Sequence, residues 1–411
     1  MNSGNVQFIQ DGSVTAPAGF QACGVTAGLK VTGNPDMALL FSEKECTFAG
    51  TFTSNLFAAA PVEYCRNICK NSSTVRAVIV NSGVANACTG VEGYKNSCLT
   101  AEKGAAVLGI APEQVLVAST GHIGDQLPMD IIEKGIKEGA SLLSADGGHS
   151  AARAIMTTDT RPKETAVTFT VNGKKVTIGG MCKGSGMISP RMMAAPHATM
   201  LGFITTDAAC DKALLSKLLF EAVNGSFNRI TVDNDMSTND TVVVMANGLS
   251  GVTIAQGTPE AELFAEGLRM VASFLAKAIV YDGEGVTKFI SVEVKGAAND
   301  EDAEKCARAI ANSPLCKTAW FGADPNWGRI LAAAGYSGAK FRTEDFRLDF
   351  DDLPVIRGGL PAGTKEEELA AILKKREFTV KVDLGAGESS STVWTGDFTY
   401  DYVKINADYR T

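Results

Sequence analysis

Histidine is scarce in this chain, which contains only His122, His149 and His197 among its 411 residues. Protein zinc sites are commonly built from several histidines and cysteines, so the composition argues against a histidine-rich metal site. Ten cysteines are present, but they form no Cys-x-x-Cys pair, and Cys65 and Cys69 alone are one helical turn apart. We therefore expect reduced, mostly buried thiols and a reducing, cytoplasmic compartment.

Other features that would mark a class of protein are also missing. The formal net charge is -8 and no basic stripe occurs, so we expect no nucleic-acid partner. No apolar run has the length of a membrane span, and the N-terminal residues lack the basic and apolar segments of a secretion signal. With 45% hydrophobic and 20% charged residues, the sequence predicts a globular protein with a large core.

Apolar periodicity predicts strands and helices that alternate along the chain, and therefore a mixed α/β fold. Asn172-Gly173 predicts a tight hairpin turn. The glycines of 179–189 predict a loop, and the alternating tail 378–405 predicts sheet. The strands are predicted at 75–80, 115–118, 165–171, 174–178, 200–205, 229–232, 241–245 and 288–294. The helices are predicted at 99–108, 128–142, 212–223, 259–279 and 364–375, the last with a Thr364/Glu367 capping box.

Two local patterns point to chemistry but leave alternatives open. Lys183 precedes Gly-Ser-Gly, which could cradle a phosphate or carboxylate with backbone N–H groups or could form an ordinary turn. Thr199 precedes an apolar strand, where threonine is either a strand former or a nucleophile. A nucleophilic threonine could use its own α-amine as base once the chain is cut before it. A histidine base, His122 or His197, is the alternative.

The polar loop 233–240 resembles the start of a calcium-binding loop, because oxygen-bearing side chains alternate from Asp233 onwards. Thr238 stands where such a loop needs glycine, and Val244 stands where it needs glutamate. This departure favours a hydrogen-bonded structural loop and no metal.

Several motifs, in this order, resemble the ornithine acetyltransferase, or glutamate N-acetyltransferase, family of arginine biosynthesis. The resemblance covers the chain from about Gly19 to its end. The motifs are Asn81-Ser-Gly83, Asn86-Ala-Cys-Thr-Gly90, Ser119-Thr-Gly-His-Ile-Gly124, Lys183-Gly-Ser-Gly-Met-Ile188, Ala198-Thr-Met-Leu201, Ser237-Thr-Asn-Asp-Thr241, Asp282-Gly-Glu-Gly285, Asp324-Pro-Asn-Trp-Gly-Arg-Ile330 and Ile405-Asn-Ala-Asp-Tyr-Arg-Thr411.

The resemblance implies an α/β layered sandwich, shared with aminopeptidases of the DmpA type. It also implies self-cleavage between Ala198 and Thr199 into an α chain, 1–198, and a β chain, 199–411, which assemble as an α2β2 heterotetramer. Thr199 would then carry acetyl from N2-acetylornithine to glutamate in a ping-pong reaction. No cofactor is implied, and acetyl-CoA as a second donor stays open.

Site roles are carried over from the resemblance one residue at a time. Thr120 and Gly121 match the oxyanion hole, and a donor pair at a strand end suits that task. The positions that match substrate-binding residues are Thr157, Lys183, Thr199, Glu284, Asn406 and Thr411. Among these, Lys183 matches the partner of the substrate carboxylate, and Glu284 matches the acid that receives the ornithine ammonium.

One segment departs from the family pattern. The run from Pro190 to Thr199 is longer than the family's Pro-Asn-Met-Ala-Thr, and it leads directly to the scissile bond. Self-cleavage requires an aligned peptide, so the insertion motivates one alternative to the acetyltransferase, a binding protein that keeps the fold without catalysis. An aminopeptidase of the same fold is a second alternative, which follows from the shared fold.

Overall fold

The structure is a computed structural model that describes residues 6–190 and 200–408. The described residues divide into two units, which we call the large unit, residues 6–190, 200–228 and 236–279, and the small unit, residues 229–235 and 280–408. Within the described ranges, no helix is long and apolar enough to cross a bilayer. The ten cysteines are free thiols and most are buried, as the sequence predicts.

The strands that the structure describes are, in chain order, β1 (Gln7–Ile9), β2 (Phe20–Val25), β3 (Met37–Phe52), β4 (Val75–Val84), β5 (Val115–His122), β6 (Lys163–Val171), β7 (Lys174–Lys183), β8 (Leu201–Thr206), β9 (Ala209–Cys210), β10 (Ile230–Thr231), β11 (Thr241–Ala246), β12 (Thr253–Ile254), β13 (Phe289–Ala297), β14 (Arg347–Phe350), β15 (Leu353–Arg357), β16 (Leu360–Pro361), β17 (Glu377–Asp383) and β18 (Ser389–Gly396).

The α-helices that it describes are α1 (Ala60–Asn71), α2 (Gly90–Leu108), α3 (Met129–Ser141), α4 (Gly148–Ala154), α5 (Lys212–Asn224), α6 (Pro259–Tyr281), α7 (Asp300–Asn312), α8 (Pro314–Phe321), α9 (Trp327–Tyr336), α10 (Glu366–Leu373) and α11 (Tyr400–Asp408). Short 3-10 turns lie at Pro112–Gln114, Phe227–Arg229 and Thr343–Asp345.

The large unit is organised around one mixed sheet. In the described part of the chain its strands follow the order β1-β6-β7-β8-β11-β3-β4-β5, with β2 also paired to β3. Strands β8/β11 and β4/β5 are parallel, and the other neighbours are antiparallel. Every residue of β8 and β11 is buried, which is typical of a sheet covered on both faces. The predicted mixed α/β layered architecture is therefore confirmed.

The small unit has its own sheet and its own core. Its strand order is β10-β18-β13-β17-β14-β15-β16 within the described residues. Buried and accessible residues alternate along β17, as expected for a sheet with one covered face. Ile290, Val292 and Val294 of β13 belong to an apolar cluster with Ile310 of α7.

Some predicted elements are confirmed and others are wrong at their ends. The hairpin turn is present, with positive φ at Asn172 and Gly173, as a type I′ turn requires. The predicted loop at 179–189 is wrong in its first part, because β7 continues to Lys183. A Cβ at Gly179 would lie 2.2 Å from the Ser13 carbonyl oxygen, so this glycine marks a close approach within a strand and no turn.

Two C-terminal expectations also fail. Thr364 does not cap α10, because Lys365 occupies the N-cap position and the Thr364 hydroxyl donates to the Pro354 carbonyl instead. The tail is sheet only as far as Gly396, and α11 follows it. Helix α2 begins at Gly90, well before the predicted start at residue 99, because its first turns are mostly polar and lack the apolar periodicity on which the prediction rests.

Candidate active site

The predicted oxyanion residues lie where the parallel strands β4 and β5 end. Thr120 is paired with Ser82, and Gly121 is paired with Gly83, after which the register becomes irregular. The sequence therefore places Ser119-Thr-Gly at a strand end, as predicted, although β5 continues to His122. Strand ends of this kind leave polar groups unpaired by the sheet and available to a ligand.

Gly121 is required at its position for two independent reasons. Its φ is +131°, a conformation that residues with a side chain rarely adopt. A Cβ on Gly121 would also lie 2.2 Å from the Gly83 carbonyl carbon, which is closer than any packing contact. The backbone at the predicted oxyanion hole is thus defined by contact between two main-chain segments.

Lys183, at the end of β7, brings the predicted substrate residues of the large unit together. Its side-chain nitrogen lies 2.8 Å from the Thr157 hydroxyl and 3.5 Å from the Thr120 hydroxyl. Lys183 is only 8% exposed, so its charge acts in a medium that screens it less than water does. The arrangement offers one ammonium and two hydroxyl groups beside Gly121 at the end of β5, which suits a carboxylate ligand.

The carboxylate of Asp159 holds the residues of this cluster in place. Its completely buried carboxylate accepts hydrogen bonds from Lys163 Nζ at 2.6 Å and from the backbone N–H groups of Gly184 at 2.7 Å and Thr157 at 2.9 Å. Lys183 Nζ lies 3.8 Å away. Burial by itself would raise the pKa of Asp159, but the two ammonium groups and the Gly184 N–H outweigh it and hold the pKa well below its usual range.

Glu284 and Asn406 meet in the small unit. The Asn406 side-chain N–H donates to Glu284 Oε2 at 2.8 Å, and Glu284 is only 7% exposed. Tyr402, one helical turn before Asn406, completes the group. Burial raises the pKa of Tyr402, and the negative charges of Asp233, Asp235 and Glu284 raise it further. The buried Glu284 carboxylate, with these negative charges nearby, suits a cationic ligand group.

Three predicted site residues, Ala198, Thr199 and Thr411, lie outside the described residues, as do His197 and the inserted segment. Their assigned roles therefore remain predictions. His122, the other candidate base, is described: it is 43% exposed in its side chain, and its Nδ1 lies 3.9 Å from an Asp125 oxygen.

The loop that resembles a calcium site serves a structural purpose in the large unit. Asn239 donates its side-chain N–H groups to the Ala85 and Ser119 carbonyls, at 2.6 and 2.8 Å. It thereby ties the start of β11 to the residue preceding Thr120. Within the described residues, no group of three or more histidine, cysteine, aspartate or glutamate side chains is arranged as a metal site.

Asp240 is a site neighbour that the sequence did not single out. It is completely buried, and its Oδ2 has no hydrogen-bond partner in the described structure. Burial raises its pKa well above the ordinary value, although Thr53 and the charge of Lys183 partly oppose this. The next residue, Thr241, donates its N–H to the Met200 carbonyl at 2.7 Å. A buried carboxyl group with a raised pKa therefore lies beside the start of β8, and only its burial in the fold reveals it.

Gly121→Ala should destabilise the protein far more than Gly124→Ala. Both positions have positive φ, which costs about 1 kcal/mol for alanine. A Cβ at Gly124 meets nothing within 4 Å, whereas at Gly121 it collides with main-chain atoms. Urea unfolding of the two variants measures the difference, and equal losses of stability would contradict the proposed backbone contact.

Asp240→Asn should stabilise the protein increasingly as the pH rises. An acid whose pKa is raised by folding is fully stabilising below its unfolded pKa near 4, and this contribution is lost as pH rises towards the folded pKa. Asparagine has no proton to lose, so the difference in Tm between variant and wild type should grow from pH 4 to pH 8. A difference that is independent of pH would show that Asp240 is ionised in the folded protein.

Comparison with known proteins identifies relatives over nearly the whole chain. A sequence profile of the ArgJ family matches residues 21–411. The arginine biosynthesis bifunctional protein ArgJ of Symbiobacterium thermophilum is 51% identical over 403 residues, which cover 97% of this chain and 99% of that protein. The glutamate N-acetyltransferase of Methanocaldococcus jannaschii is 47% identical over 410 residues, which cover 98% of this chain and 99% of that protein.

One solved relative is the ornithine acetyltransferase complexed with ornithine from Mycobacterium tuberculosis. It is 40% identical, with a TM-score of 0.43, and the match covers 46% of this chain and 100% of that chain. The family assignment rests on the sequence comparisons, which span nearly the whole chain and nearly the whole of each relative. The chain belongs to the ArgJ family.

Proposed function

We propose that this chain is an enzyme that transfers the acetyl group of N2-acetyl-L-ornithine to L-glutamate through an acetyl-threonine intermediate. The observation that carries the proposal is the position of Lys183, whose ammonium lies against the Thr157 and Thr120 hydroxyls beside the predicted oxyanion hole. Relatives of nearly full length that are named bifunctional ArgJ proteins and glutamate N-acetyltransferase support the same reaction.

The first step is self-cleavage. The Thr199 hydroxyl attacks the Ala198 carbonyl and the C–N bond breaks, which leaves an ester between the two residues. Water hydrolyses the ester, so Ala198 becomes a free carboxyl end and Thr199 gains a free α-amine. That amine has an ordinary pKa near 8 and can accept a proton at neutral pH.

The second step is acetyl transfer. Thr199 Oγ attacks the acetyl carbonyl of the donor while its own α-amine takes the hydroxyl proton. Thr120 and Gly121 stabilise the negative oxygen of the tetrahedral intermediate. The proton passes to the ornithine nitrogen, the amide bond breaks and ornithine leaves. The glutamate amine then attacks the acetyl ester in the same way and restores the Thr199 hydroxyl.

The two charged groups of the substrate are recognised by different residues. Lys183 and Thr157 bind the α-carboxylate that donor and acceptor share. Glu284, with Asn406, binds the side-chain ammonium of ornithine, and the C-terminal Thr411 completes the substrate segment. We further propose an α2β2 heterotetramer of the cleaved chains, no bound cofactor, and acetyl-CoA as the donor to test beside acetylornithine.

Two other functions are separable by assay. An aminopeptidase of the same fold would hydrolyse peptides without forming acetylglutamate, and the buried Lys183 favours a free carboxylate instead. A binding protein without catalysis would bind ornithine but transfer no acetyl. Acetylglutamate formation, measured with acetylornithine and then with acetyl-CoA as sole donor, distinguishes these functions and settles the donor.

Denaturing mass spectrometry of the purified protein should show two chains, the second beginning at Thr199. Thr199→Ala should leave one uncut chain and abolish acetyl transfer, because the variant lacks the hydroxyl that performs both reactions. Thr199→Ser is the matched control, because it keeps a hydroxyl and should retain measurable cleavage and transfer. Cleavage or transfer that survives in Thr199→Ala would contradict the assignment.

A further inference from the structure

Lys30 is a half-buried lysine of the large unit that the mechanism above does not use. It lies in the loop after β2, and the completely buried carboxylate of Asp36 fixes that loop. Asp36 accepts backbone N–H groups from four consecutive residues, at 2.7 Å from Ala27, 3.0 Å from Gly28, 2.6 Å from Leu29 and 3.1 Å from Lys30. The main chain that carries Lys30 is therefore rigid.

The Lys30 ammonium joins two segments that are far apart in sequence. Its Nζ donates to the Pro35 carbonyl and to the Met156 carbonyl, both at 2.7 Å. The first contact anchors the side chain to its own loop. The second contact reaches the peptide that immediately precedes Thr157, whose hydroxyl accepts the hydrogen bond from Lys183 at 2.8 Å.

The Met156–Thr157 peptide is consequently held from both sides. Lys30 binds its carbonyl oxygen, and Asp159 accepts its N–H at 2.9 Å. A peptide group is planar, so fixing both its oxygen and its nitrogen fixes the direction in which the Thr157 side chain leaves the backbone. Lys30 thus positions Thr157 in the cluster around Lys183, although Lys30 is not itself a member of that cluster.

We propose that Lys30 is a positioning residue of the carboxylate-binding cluster: by holding the Met156 carbonyl it places the Thr157 hydroxyl against Lys183 and so sets the affinity for the substrate's α-carboxylate. The inference rests on the proposed function, in which this cluster binds that carboxylate. We expect Lys30 to affect KM, because the nucleophile Thr199 and the oxyanion residues Thr120 and Gly121 do not depend on Lys30.

The charge of Lys30 gives the role a dependence on pH. Burial lowers its pKa to about 8, the negative charges of Asp36 and Asp159 partly oppose this, and the positive charge of Lys183 adds to it. Above that pH the ammonium loses its charge, and a neutral amine makes weaker hydrogen bonds to carbonyls. The affinity for carboxylate substrates should therefore fall as the pH rises through about 8.

The test measures KM and kcat for N2-acetylornithine between pH 6.5 and 9.5 at saturating glutamate. Lys30→Met should raise KM about tenfold near neutral pH, as expected when a hydrogen bond to a charged group is lost, with kcat within about twofold of wild type. Lys30→Arg keeps its charge throughout this range. The ratio of wild-type KM to Lys30→Arg KM should therefore rise above pH 8, a comparison in which titration of the substrates cancels.

Lys174→Met is the matched control, because Lys174 Nζ also donates to a backbone carbonyl, that of Gly251, at an exposed place. It should leave KM unchanged. A Lys30→Met variant whose KM equals that of the wild type, or that loses kcat and affinity equally, overturns the positioning role. In either case, acetyl transfer by the wild-type protein leaves the proposed function intact. Absence of transfer by wild type overturns both. If Lys30→Met does not fold, the KM ratio of wild type to Lys30→Arg decides, and a ratio independent of pH overturns the proposal.

Discussion

The candidate site depends on the interactions of one buried carboxylate, that of Asp159. It pairs with Lys163 at 2.6 Å, lies 3.8 Å from Lys183 and accepts the backbone N–H groups of Thr157 and Gly184. A buried ion is costly unless its partners and hydrogen bonds compensate for lost hydration. The buried Asp159 carboxylate needs these hydrogen bonds and positive charges, and this need determines where the backbone segments and the lysines lie.

The arrangement explains why the polar groups at the end of β7 are ordered. Lys183 would be free to extend into solvent from β7, but the neighbouring carboxylate and the Thr157 hydroxyl hold its ammonium beside Thr120. Polar groups that are already ordered need little rearrangement when a ligand binds. Within the small unit, taken by itself, the Asn406 side chain orders the buried carboxylate of Glu284.

The sequence predicts the regular parts of this structure because they follow local rules. The Asn172-Gly173 turn and the apolar strands at β8 and β11 need no tertiary information. The first part of the predicted 179–189 loop was wrong because Gly179 serves a close tertiary approach, which looks the same in sequence as a turn. Asp240 and Lys30 were missed for the same reason: burial and contacts between distant segments identify them. Motif resemblance found Lys183 and Glu284, but it could not show that Asp159 organises the first of them.

The most direct test of this account is a double-mutant cycle between Asp159 and Lys163, measured as the free energy of unfolding in urea. Each single change, Asp159→Asn or Lys163→Met, leaves a buried charge without its partner and should cost about 3–5 kcal/mol. The double variant removes both charges of the pair, so it should cost clearly less than the sum of the two. Single changes that each cost less than about 1 kcal/mol and that add without coupling would contradict the central role of Asp159.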